Sequence, residues 1–247
     1  MEDNKRILNE RQEAVLKAIV ISYIQSARPI GSAFVADILN LSSATIRNAM
    51  SDLEEMGFIN KPHTSAGRIP ITNGYRYYVN HLLDFNAISS KQKKFIEKEY
   101  RKLANSIEII LERVSHLLSV MTRHAAIVCM PNLKLYIEGT SNMLDMPEFK
   151  NPARVRILLK LFDDKKELLE LLNEDLTVDG VKIHIGGEDR FEELKELSVI
   201  TANYKIRGLK KGNLGIIGPL RMDYSALIPL IDFHSRTVEA ALNELEI

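Results

Sequence analysis

The chain has 247 residues, with 33 basic and 33 acidic side chains, a hydrophobic share of 45% and a single cysteine. That length and apolar content suit one small and one medium domain with ordinary cores, and exclude general disorder. The balanced charge gives no overall field toward nucleic acid, so any surface for it has to be local. A lone Cys129 excludes an intramolecular disulfide and fits a reducing compartment.

The first residues, Met1 to Arg6, are charged and lead into an amphipathic helix, not an apolar signal core. No stretch approaches the ~20 apolar residues that span a bilayer, so the expectation is a soluble cytoplasmic protein without a membrane partner. Asn9 with Gln12 three residues on has the form of a capping box, and Val15, Leu16, Ile19, Val20 and Ile24 mark one apolar helical face behind it. Arg28-Pro29-Ile30-Gly31 breaks that helix. Ser32 is expected to cap a short second helix to Leu39, Asn40-Leu41-Ser42 to turn, and Ser42 or Ser43 to cap a third helix ending at Gly57. A short helix, a three-residue turn and a longer capped helix make a helix-turn-helix.

On the third helix Ile46, Met50, Leu53 and Met56 form the inner stripe, while Ala44, Arg47, Asn48 and Ser51 project from the other side. The N-terminal half of a recognition helix is where base edges are read. Arg suits guanine and Asn suits adenine, because each makes two coplanar hydrogen bonds. On an isolated helix such side chains would mean only a solvated face. The segment after Gly57 tips the reading: Phe58-Ile59 and Ile69-Pro70-Ile71 frame a hairpin, and between Met56 and His81 stand Lys61, Arg68 and Arg76 with no acidic residue. This is the pattern of a wing on the phosphate backbone or in the minor groove. The candidate DNA-contacting residues are therefore Ser43, Ala44, Thr45, Arg47, Asn48 and Ser51 on the helix, and Lys61, His63, Thr64, Ser65, Gly67, Arg68 and Arg76 on and after the wing. Thr64 and Ser65 offer hydroxyls to phosphate, and Gly67 permits close approach of the backbone. Thr72 is expected to cap a helix whose Tyr75, Tyr77 and Tyr78 pack the wing onto the helical core.

Asp84 to Ser90 reads as a connector, with Ser89 or Ser90 capping the next helix. From Ile96 through Tyr100, Leu103, Ile107, Ile110, Val114 and Leu117 to Met121 the apolar positions alternate by four and three, the mark of one long helix packed along another. The partner is a second subunit or the C-terminal helix of the same chain. Ile109, Leu111 and Leu118 widen the stripe and favour the latter. The Lys91, Lys93, Lys94 and Lys98 run reads first as a solvated face.

Residues 125–247 alternate strand and helix patterns. Strands are expected at Ala125 to Met130, Leu133 to Glu138, Val181 to Ile185, Ser198 to Ile206 and Leu214 to Ile217. Helices are expected at Pro152 to Phe162, Lys165 to Asn173 and Tyr224 to Leu245. Cys129 lies in an apolar run and reads as core filler. Gly212, Gly215 and Gly218 do not have phosphate-loop spacing. The six histidines include no metal-ligand grouping, and His234, on an apolar helix face, reads as a packing residue. No catalytic residue, metal or cofactor is expected.

Three strings carry a resemblance. Ser42-Ser43-Ala44-Thr45-Ile46-Arg47-Asn48, His63-Thr64-Ser65-Ala66-Gly67-Arg68-Ile69-Pro70 with Gly74-Tyr75-Arg76, and Gly215 to Tyr224 resemble the HrcA family of heat-inducible transcription repressors. Gly139 to Leu144 and Ile185 to Glu188 are similar to the same family. The resemblance implies an α+β protein: a winged helix-turn-helix in residues 1–83, a linker and long amphipathic helix in 84–124, and a GAF-like α/β effector domain in 125–247. Between Met130 and Gly139 there is room for one strand, where the family carries a long segment with a dimerisation element. The resemblance also implies a homodimer on the inverted-repeat CIRCE operator before chaperone genes, and the chaperonin GroEL as modulating partner. Two rivals stand beside the repressor. A small-molecule-responsive regulator would need an apolar cavity in residues 125–247, and an enzyme would need convergent titratable groups in one cleft.

Overall fold

The structure is a computed structural model. It describes residues 7–63, 66–101, 106–131, 134–177, 179–188, 194–206 and 210–244. Two compact units emerge, Met1–Asp84 with Leu220–Tyr224, and Phe85–Pro219 with Ser225–Ile247.

In the first unit, α1 (Glu10–Ser26) starts in the expected capping box: the Asn9 side chain accepts from Gln12 N–H and the Gln12 side chain accepts from Asn9 N–H. α2 (Ser32–Leu39) is capped differently from expectation. Gly31 holds the cap position, Ser32 is already helical, and its side chain does not close the helix end. Asn40 turns the chain in the left-handed region, and α3 (Ser43–Glu55) opens with Ser42 Oγ accepting from Thr45 N–H at 3.1 Å. Its end is a Schellman closure. Gly57 sits at φ 75°, its N–H donates to Glu54 O, and Phe58 N–H donates to Leu53 O.

The chain then makes β1 (Ile59–Asn60) and β2 (Ile69–Pro70), antiparallel with Ile59 opposite Pro70. A third chain segment joins them, since Ile30 and Arg68 exchange two backbone hydrogen bonds of 2.8 Å. α4 (Thr72–Tyr77) runs on into a π-helical turn, Tyr78–Leu82, and Ile71 rather than Thr72 occupies its cap. As expected, the tyrosines pack the wing down: Phe58 meets the Tyr77 ring edge-on at 5.4 Å, and Tyr77 O–H donates to Glu13 at 2.8 Å. Tyr75, Tyr77 and Tyr78 are all buried, so none offers a face to a base.

In the second unit the single long helix expected from the apolar repeat is two helices, α5 (Ser90–Arg101) and α6 (Ile107–Thr122). Ser89, not Ser90, caps α5, its Oγ accepting from Gln92 N–H. Ser106 starts a new helix by accepting from Ile109 N–H. Glu99 and Arg113 pair at 2.5 Å, whereas 14 residues along one helix would separate them by about 21 Å. The repeat survives the break because each helix keeps its own buried stripe, Ile96 and Tyr100 on one, Ile110, Val114 and Leu117 on the other. α5 is held to α10 (Tyr224–Asn243) through Tyr100 and His234, whose hydroxyl and Nδ1 lie 2.5 Å apart. The C-terminal helix of the same chain is thus a partner for α5, whereas α6 packs on the sheet. Burial pushes the His234 imidazole down to about 3, so it is a neutral packing group.

Five strands form one antiparallel sheet: β3 (Ala125–Cys129), β4 (Leu135–Glu138), β5 (Val181–Ile185), β6 (Leu197–Ile206) and β7 (Lys210–Pro219), in the order β4-β3-β7-β6-β5. β7 is longer than its apolar core suggests because its glycines belong to the strand. A Cβ at Gly212 would meet the Tyr204 ring, and one at Gly215 would lie 2.2 Å from Ile200 O. α7 (Thr140–Leu144), a short helix without a sequence signal, joins α8 (Pro152–Asp164) and α9 (Lys166–Asp175) over one sheet face, around Ile127, Cys129, Val199 and Ile217. α6 packs along β3 and β4. Met130 N–H donates to Lys134 O, so β3 and β4 are joined as a hairpin where the family resemblance implies a long segment.

Candidate nucleic-acid interface

The recognition surface is built on α3. Ile46, Ala49, Met50 and Leu53 are buried, and the helix is thereby fixed with Ala44, Arg47, Asn48 and Ser51 exposed, one face at spacings of three and four. Ser43 and Thr45 are half-buried at its start, and Thr45 Oγ1 lies 2.8 Å from Ser42 Oγ. They serve the helix end more than an open surface. The acidic residues Asp52, Glu54 and Glu55 fall in the last turns, with none in the first. The positive end of the helix dipole and the Arg47 guanidinium therefore stand together at the reading end. Arg47 Nε donates to Ser32 Oγ at 3.4 Å. Ser32, taken from the sequence for a helix cap, positions this arginine instead.

The wing divides. Lys61 and the exposed His63 stay on its outer part, where His63 O accepts from Ala66 N–H. Thr64 and Ser65 lie outside the described residues. Arg76 is half-buried on α4. Two candidates turn inward. A Cβ on Gly67 would lie 2.4 Å from the Ile30 carbonyl, so the bare backbone there admits Ile30 and not DNA. The Arg68 guanidinium is bound to Glu54 at 2.8 Å, both side chains being largely covered. That pair ties the returning wing strand to the end of α3. Neither Glu54 nor Ser32 announces these roles in sequence, because each contact joins residues 14 or 15 positions apart across a turn or hairpin.

Among its described residues, the second unit offers little to either rival. Two of its grooves measure 460 Å³ and 640 Å³; Asp179, Lys205, Asp232, Arg236 and Glu239 stand in one, and Val155 and Leu159 with Arg156, Lys160 and Asp163 in the other. The first is of mixed polarity and the second is a mainly apolar strip edged by charge, and both are open grooves, not the enclosed apolar chamber a hydrophobic effector requires. Asp175 accepts from both His184 Nε2 (3.0 Å) and Thr201 Oγ1 (2.6 Å). The imidazole therefore serves the carboxylate, and the hydroxyl does not point to it as a nucleophile would to its base.

Residues 7–82 match the family model described as the winged helix-turn-helix transcription repressor, HrcA DNA-binding, and residues 132–228 match the HrcA protein C-terminal domain. The chain belongs to the HrcA family. Among curated HrcA heat-inducible transcription repressors, that of Desulfitobacterium hafniense is 30% identical over 339 aligned positions, covering 95% of this chain and 98% of the relative. That of Pelotomaculum thermopropionicum is 28% identical over 340 positions, covering 96% and 98%. An alignment of 340 positions against 247 residues means that these HrcA relatives carry a stretch absent here. A crystal structure described as a hypothetical protein at 2.2 Å resolution superposes with a TM-score of 0.76 at 21% identity, covering 96% of this chain and 98% of that one, and shares the fold. As an HrcA protein with a winged-helix DNA-binding domain, the chain is a transcription repressor. Among the described residues, no helix is long and apolar enough to cross a membrane.

Proposed function

We propose that this HrcA protein represses chaperone genes by binding the inverted-repeat CIRCE operator as a homodimer, with the chaperonin GroEL supporting its active state. The observation that carries the reading is the open α3 face, Ala44, Arg47, Asn48 and Ser51, presented at the positive end of the helix with the acidic residues held at the other end. Arg47 and Asn48 are the base-reading pair. Ala44 and Ser51 shape the contact, and Lys61, His63 and Arg76 supply backbone contacts from the wing side. Thr64 and Ser65 belong to the same proposed wing contact. One winged helix reads few bases, so genomic specificity calls for two copies on two half-sites.

The test is a gel-shift titration of operator and scrambled duplex, with and without chaperonin, beside a mass measurement of the free and bound protein. The operator is expected to bind at least a thousandfold more tightly than scrambled duplex, in a 2:1 complex. Equal affinity for both duplexes defeats the reading. A small-molecule regulator is not favoured, because these two grooves of the second unit are open to solvent and enclose no chamber.

A further inference from the structure

The winged-helix unit contains five residues from the far end of the chain. After β7 the chain enters the first unit as Leu220–Tyr224 and then leaves it in α10. This short segment is anchored at three places. Arg221 Nη1 donates to Ile24 O at 2.8 Å, a carbonyl in the last turn of α1 that has no helical N–H to receive. A guanidinium at this end also opposes the negative pole of the helix. Tyr224 is fully buried and its ring lies 6.1 Å from that of Tyr75 on α4, which is itself buried. Asp223 faces Tyr78 in the π-helical turn, whose phenol is pushed up to about 12 by burial first and by Asp223 and Asp84 next. The Tyr224 hydroxyl donates back to Leu220 O at 2.7 Å and closes the segment on itself, with Met222 buried beneath.

We infer that Arg221 and Tyr224, nearly two hundred positions beyond α1, are positioning residues for DNA reading. They complete the core that α1 and α4 share and so hold the frame on which α3 and the wing are mounted. They make no contact with DNA. The inference rests on the winged-helix unit being the proposed DNA reader. It predicts that the DNA-binding match, residues 7–82, is not the whole physical unit. It also gives the C-terminal part of the chain a covalent hold on the reader, because β7 and α10 flank the segment directly.

The test uses the full chain with Tyr224→Ala, Tyr224→Phe and Arg221→Ala, followed by amide hydrogen exchange and by operator titration across a salt series. Tyr224→Ala is expected to speed exchange in the last turn of α1 and in α4 roughly tenfold, with the amides of β6 and β7 unchanged. Operator affinity should fall roughly tenfold while the slope against salt stays that of the parent, since no phosphate contact is lost. Tyr224→Phe keeps the ring and should retain most of both properties. Arg221→Ala should give a smaller effect confined to the end of α1, and it carries the test alone if Tyr224→Ala does not fold. Parent-like exchange in α1 and α4 overturns the inference, as does a change confined to α10. If the parent fails to prefer its operator, the repressor reading falls while the exchange result still decides this one.

Discussion

Arg47 and Arg68 look equivalent in sequence, each an arginine in a motif of the DNA-binding half. The structure separates them. On α3, Arg47 stands exposed with a single light tether to Ser32, at the end of the helix free of acid. On the wing, Arg68 is drawn inward to Glu54, its backbone is paired to Ile30, and the glycine before it is packed against the same residue. One cation faces outward and the other holds the framework. Charge alone therefore does not identify a phosphate ligand. The partner already present decides whether the group has anything left to give.

That contrast can be broken by substitution. The largest effect is expected for Gly67→Ala, which forces a Cβ against the Ile30 carbonyl and should cost about 3 kcal/mol of stability in thermal unfolding. An unchanged midpoint would mean the wing gives way there. Arg47→Ala should leave unfolding untouched and cost about 1–3 kcal/mol of operator binding, with specificity relaxed at one base pair in a gel-shift matrix. For the clasp, Arg68→Ala and Glu54→Gln should each cost about 1 kcal/mol of stability, less for solvent screening, and the double variant no more than either alone. Both should keep the parent's salt slope. A slope flatter by about one unit in Arg68→Ala would return that arginine to the phosphate backbone. Lys61→Ala should show that flattening, with the smallest loss of affinity and no change in base preference.

The DNA-binding half was legible where contacts are local. The Asn9 capping box, the Ser42 cap and the Gly57 closure all join residues a few positions apart and stand as read. The α3 stripe holds at Ile46, Met50 and Leu53 but not at Met56, which is exposed just past the helix end, with Ala49 buried instead. Ser32 and Thr72 were misplaced by one position because a residue before each had the extended backbone a cap needs, whatever its side chain. The long helix failed for another reason. A heptad pattern reports which side is buried and is blind to a break that restarts in register, and here the restart is Ser106. The Glu54–Arg68 clasp and the Leu220–Tyr224 segment were illegible because nothing in local spacing pairs residues across a hairpin or across most of a chain. In the second unit the strand centres were visible, while β7 outran its apolar run because its glycines make room for Tyr204 and Ile200.

The sole thiol has a practical use. Cys129 ends β3, buried in the sheet, with burial pushing its titration up to about 11. Burial thus disfavours the reactive thiolate and shields the sulfur, so peroxide and alkylating reagents find little to attack. Warmed until the sheet parts, the same sulfur regains its ordinary acidity and becomes open to reagent. The rate at which a maleimide dye is taken up thus clocks the opening of the C-terminal sheet, with no engineered label and no second site to confuse the count.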